Sequence, residues 1–273
     1  MRSPVRDIRY NLGYSVAPSV QGIGADTIPT DLVVPTDYES PRRALVPTSV
    51  SRLAKTDHPD YILRWEIPGG KDVIGQQFSL REIDARMAEG VAHNRQLVAS
   101  GIPVIPHRYH SIHRPRPKAS GHPGHIYSFS PLLHEHEKLD ITNPQHLEPA
   151  LLCIEGLEQY TQFLIAAKDP RGLWDAYKIY EPHPLHGFTT QYSIVPPTGT
   201  NPTGLIAHDP ELFVGNVYER GRKSVDFSKR LFQFGQAAQI VARTAEQTPY
   251  QQRAAELQQR VTQTLGRIPD RRQ

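Results

Sequence analysis

At 273 residues, with 38% hydrophobic residues and a mean hydropathy of -0.50, the chain can bury a substantial core and is too apolar to be wholly disordered. Its single cysteine, Cys153, excludes an internal disulfide and a cysteine-built zinc cage, and it falls in an apolar helical pattern that predicts a buried thiol. The net charge of +3 is too small to signal a polyanionic partner by itself.

The 25 prolines predict many loops, and residues 1–55, with Pro4, Pro18, Pro29, Pro35, Pro41 and Pro47 spread through polar sequence, read as an extended, weakly ordered arm. Gln21-Gly-Ile-Gly24 reads as a turn. Tyr61-Ile-Leu-Arg-Trp-Glu-Ile67, closed by Pro68-Gly69-Gly70, predicts a strand and a turn. From Ser79 the apolar positions Leu80, Ile83, Met87, Val91 and Leu97 predict a helix with Ser79 as N-cap and Glu82 placed for a capping box, stopped by Gly101. Strands are expected near Tyr109 to Ile112 and over His125 to Leu133, followed by a polar hinge from His134 to Asp140.

The strongest periodic signal runs from about Gln145 to Lys168, where Leu147, Leu151, Ile154, Leu157, Tyr160, Phe163 and Leu164 share a helical face. An irregular stretch opens at Leu173-Trp174-Asp175 and ends in the strand Gln191 to Val195. The Pro- and Gly-rich turn 196–204 leads into Leu205-Ile-Ala-His-Asp-Pro210, which reads as the returning strand of a hairpin. Two further helical patterns, Phe227 to Val241 and Ala254 to Leu265, break near Thr248-Pro249, and the second reads as a helix that either projects towards a protein partner or frays.

Strand, long helix, Gly-Ile-Pro-Val, two strands and a hinge ending in Leu139-Asp140 resemble the protein-kinase and aminoglycoside-phosphotransferase superfamily over roughly residues 40–245. The resemblance implies a bilobal α+β fold, a small antiparallel-sheet lobe over 56–140 and a mainly helical lobe over 141–248, with the arm before them and a helical tail over 249–273. It also implies where phosphoryl-transfer groups belong. Arg64 stands at the phosphate-binding lysine position, with a wider fork than lysine, and Glu89 at the glutamate that would pair with it. Asp209, in Asp-Pro-Glu after Leu205-Ile-Ala, falls at the metal-binding aspartate. For the catalytic loop two registers stay open, one placing Gln191 at the asparagine and His186 at the base, the other placing Asp175 at the base and His183 at the asparagine. In both, the H-R-D-to-N motif is absent. An amide oxygen can meet Mg²⁺ but an imidazole suits it poorly. The expectation is therefore a pseudokinase or interaction scaffold with at most residual binding of ATP and Mg²⁺. The alternative within the family is an active ATP-dependent phosphotransferase acting on a hydroxyl.

A rival class is a histidine-rich metal-binding hydrolase, since His107, His110, His113, His122, His125, His134 and His136 fall within a short span, though without an H-E-x-x-H motif. Basic clusters at Arg2, Arg6 and Arg9, at Arg114, Arg116 and Lys118, at Arg220, Arg222 and Lys223, and at Arg267, Arg271 and Arg272 read as solvated loops and ends, with no nucleic-acid motif beside them. No apolar run approaches the roughly 18 residues of a membrane span, and the N-terminus lacks a signal-peptide hydrophobic core, which predicts a soluble, cytoplasmic chain.

Overall fold

The computed structural model describes residues 15–16, 20–29, 51–55, 60–66, 80–113, 124–168, 174–185, 187–208 and 223–268. Among these the fold is mixed α and β, with small antiparallel sheets and four α-helices. The chain divides into two compact units, one formed by Met1–Ala92 and Ile105–His134, the other by His93–Val104 and Glu135–Gln273.

The first unit is built on an antiparallel sheet of β1 (Ser15–Val16), β2 (Val20–Gln21), β3 (Ser51–Lys55), β4 (Tyr61–Glu66), β5 (Arg108–His113) and β6 (Gly124–Pro131), ordered β1-β5-β6-β4-β3 with β2 also on β5. The β-branched and aromatic content of β4 and β6 suits a pleated, half-buried surface. Tyr61 pairs with Pro131 and Glu66 with Ile126, while Arg108 on the other side of β6 pairs with Phe129. Because β4 and β5 both run antiparallel to β6, they are parallel to each other and need a crossover between them. That crossover contains helix α1 (Leu80–Ala99).

Within the segment expected as an extended arm, β1, β2 and β3 are paired strands, and residues 22–29 are fastened to the start of β5. The buried His107 ring accepts the Ile23 N–H at Nε2, 3.3 Å away, so its proton sits on Nδ1 and is donated to the Ile105 carbonyl at 2.9 Å. Gly22 permits this closeness, since a Cβ there would stand 2.2 Å from the ring. The buried Arg108 guanidinium donates to the carbonyls of Ile28, at 2.9 Å, and Pro29, and lies over the Phe129 ring. The arm reading rested on prolines spread through polar sequence, whereas the described strands are held by hydrogen bonds to distant residues, which composition does not register.

The second unit centres on α2 (Leu147–Ala166), preceded by the 3-10 turn Pro144–His146, where the Asn143 side chain accepts the Gln145 N–H at 3.0 Å. Leu147, Ala150, Leu151, Ile154, Leu157 and Leu164 are buried, as the 3.6-residue period demands. Helix α1 ends at Gly101, whose φ of 88° only glycine adopts freely, and the Ile102 N–H returns to the Leu97 carbonyl at 3.1 Å. The turn then presses Ile102 against α2 at Gly156, where a Cβ would lie 2.5 Å from the Ile102 side chain. Two residues on, Val104 bridges Ala207, with the Ala207 N–H donating to the Pro103 carbonyl at 2.8 Å.

Strand β7 (Glu137–Lys138) emerges from the stretch read as a polar hinge. The stretch read as irregular after Trp174 contains the 3-10 turn Trp174–Tyr177 and a hairpin of β8 (Glu181–His183) and β9 (Gly187–Thr189). Strands β10 (Tyr192–Ile194) and β11 (Leu205–Ala207) form a hairpin joined by β7 in the order β11-β10-β7. Helices α3 (Lys223–Thr244) and α4 (Gln251–Gly266) complete the unit. Phe234, Ala238 and Val241 of α3 and Ala254, Leu257 and Val261 of α4 are buried, so the apolar stripe of the last helix is spent inside its own unit.

Candidate functional site

The β10–β11 hairpin gathers the polar groups closest to the expected chemistry. Its register pairs Tyr192 with Ala207, which sets Gln191 opposite His208, and the His208 N–H donates to the Gln191 carbonyl at 3.1 Å. The Gln191 N–H donates to the Lys178 carbonyl at 2.9 Å, so the residue is fixed from both sides and is 8% exposed. Ser193 is wholly buried, and its Oγ meets His208 Nδ1 at 3.0 Å. Beside it, Ser193 pairs with Lys138 of β7, which brings the end of the hinge segment onto the same sheet.

His146 clasps that hinge. Its Nδ1 accepts the Asp140 N–H at 3.1 Å, leaving Nε2 to donate to Glu137 at 3.0 Å. Asp140 in turn accepts the backbone N–H and the hydroxyl of Thr142 at 2.9 and 2.7 Å. Elsewhere in the unit, His93 Nδ1 joins the Tyr160 hydroxyl at 2.6 Å, tying the end of α1 to α2. The Ser193–His208 and His93–Tyr160 pairs and the His146 clasp were not legible in the sequence. The first two join residues 15 and 67 positions apart, which no local pattern reports. The clasp reaches back six and nine residues, and the 3-10 start at Asn143-Pro144 was its only local signal.

Of the expected site residues, Arg64 lies in β4, paired with Leu53 and Ser128, and Glu89 is half-buried in α1; both belong to the first unit. Asp175, His183 and Gln191 belong to the second. Asp175 lies in the 3-10 turn, and Asp209 and His186 lie outside the described residues. His183 sits at the head of the β8–β9 turn, where its Nδ1 accepts the Leu185 N–H at 3.2 Å, on a different sheet from Gln191.

That β8–β9 hairpin is fastened at its base. Tyr180 stacks on Phe188 with ring centres 5.1 Å apart, and Glu181 receives Arg230 at 2.9 Å and Lys178 at 3.7 Å. Burial pushes the Glu181 carboxyl up, but Arg230, with Lys178 and Lys229, outweighs it and holds the group below its ordinary value. A carboxylate pinned in its charged form by cations is a poor proton acceptor.

Cys153, Tyr177 and Tyr192 lie in the core, and burial pushes the ionisation of each well up. The Thr161 hydroxyl donates to the Leu157 carbonyl at 2.6 Å, so the Tyr177 hydroxyl donates to Thr161 at 3.0 Å, and the Tyr192 hydroxyl donates to the Ala176 carbonyl. These groups are neutral structural partners; a thiol held this far from ionising is no nucleophile.

Among the described residues no group of three or more His, Cys, Asp or Glu is placed to hold a metal ion. From the histidine-rich span, His107 is engaged with backbone, His134 meets Asp60 at 3.2 Å, and His110, His113 and His125 sit on β5 and β6; His122 lies outside the described residues. Among the described residues no helix is long and apolar enough to cross a membrane. No protein-family model, curated protein or solved structure matches this chain.

Proposed function

We propose that this chain is a degenerate protein-kinase-like protein that acts as a pseudokinase or interaction scaffold, with at most residual nucleotide binding. The observation that carries the proposal is the pairing of β4 and β5 on opposite sides of β6 with α1 between them in the chain, which is compatible with the strand, helix, strand, strand order on which the resemblance rests. The β10–β11 hairpin adds support, because its register brings the positions assigned to the asparagine and to the residue before the metal-binding aspartate into backbone contact.

The chemistry at that hairpin argues against phosphoryl transfer. Mg²⁺ takes oxygen ligands in near-octahedral geometry, and the described groups are a largely buried amide, Gln191, and an imidazole already engaged with Ser193. The resemblance assigns Asp209 and Gln191 to Mg²⁺ and Arg64 to the phosphates of ATP, and a bound metal there would supply charge neutralisation. In the other register, Asp175 lies in the 3-10 turn Trp174–Tyr177 and His183 ends β8. No specific observation favours the histidine-based hydrolase.

Thermal unfolding of the whole protein with and without ATP and Mg²⁺ tests this, since a ligand bound only by the folded state raises the midpoint with concentration. A scaffold without a cleft shows no shift at millimolar ATP. A Mg²⁺-dependent rise removed by Asp209→Ala establishes a retained nucleotide site. Transfer of the γ-phosphate to a hydroxyl acceptor, lost in the same variant, overturns the degenerate reading in favour of an active phosphotransferase.

A further inference from the structure

We draw no further inference here: the strongest candidate, the tip of the β8–β9 hairpin where Leu185 stands 81% exposed above a base fixed by Glu181 and Arg230, carries none because nothing in the structure shows what covers it.

Discussion

Asn94 is wholly buried in the second half of α1, and neither its amide nitrogen nor its amide oxygen has a hydrogen-bond partner among the described residues. A buried unpaired polar group costs about 1–3 kcal/mol, and leucine keeps the branched four-atom shape, with bulkier methyls and no polar atom to satisfy. Asn94→Leu is therefore expected to raise stability by about 1–2 kcal/mol, read as a higher urea midpoint at unchanged slope. A loss of stability would mean that the amide is hydrogen-bonded in solution. Gly156 poses the opposite case. Alanine in place of a helical glycine ordinarily gains about 1 kcal/mol, but here the new methyl would stand 2.5 Å from Ile102 and 2.8 Å from the Ser100 carbonyl. Overpacking of this kind costs about 1–3 kcal/mol, so Gly156→Ala should lower the midpoint. A stabilised variant would show that the turn after α1 does not approach α2 this closely.

At the scale of elements, the last helix illustrates how a sequence pattern can be right about structure and open about role. The spacing of Ala254, Leu257 and Val261 predicts an amphipathic helix but not what its apolar stripe meets; in the fold it meets α2 and α3. Polar contacts reinforce the seat: Thr264 donates to the buried Glu158 at 2.6 Å, and Arg253 and Arg260 reach Glu155 of α2 at 3.0 and 2.9 Å. Burial raises the Glu155 carboxyl, but the two guanidinium groups more than offset this and leave it below its ordinary value of 4.5. A carboxyl depressed in the folded state contributes stability that is complete above its unfolded value and is lost as pH falls through the folded one. The pairs are partly exposed, so screening limits them to about 0–1 kcal/mol each. Glu155→Gln should therefore lower the melting temperature slightly at neutral pH and at low salt, and the difference from the parent should vanish as the pH is taken well below 4.5. A pH-independent difference would assign the effect to packing instead of charge. A protein partner that uses this helix must use its outer, glutamine-rich face, because the apolar one is occupied.

For the molecule as a whole, Cys153 offers a built-in report on folding. It is wholly buried on α2 with its thiol held far from ionising, so a thiol reagent should fail to label the native protein and should label it in proportion to the unfolded fraction as urea is added. Rapid labelling without denaturant would place Cys153 at the surface and overturn the core described here. Much of this architecture was legible beforehand. The helix expected from about Gln145 to Lys168 spans Leu147–Ala166, the strand expected from Tyr61 spans Tyr61–Glu66, and Gly101 ends α1 as its position predicted. Strands β1, β7 and β8 were not legible, because two or three residues carry no period and these owe their geometry to a partner strand. The candidate site fared similarly: Gln191 was singled out by counting along the chain, but its contact with His208 and the role of Ser193 depend on the hairpin register.

The sequence by itself determined where the long helices and longer strands lie and that Cys153 belongs to a core, because periodicity, caps and breakers act over a few residues and need no partner. Only the tertiary structure decided that β4 and β5 flank β6, that part of the N-terminal segment is sheet, and that Gln191, Ser193 and His208 meet beside the hinge strand. Those outcomes rest on hydrogen bonds between residues far apart in the chain, whose partners are chosen by the register and packing of the whole unit and leave no local trace in the order of amino acids.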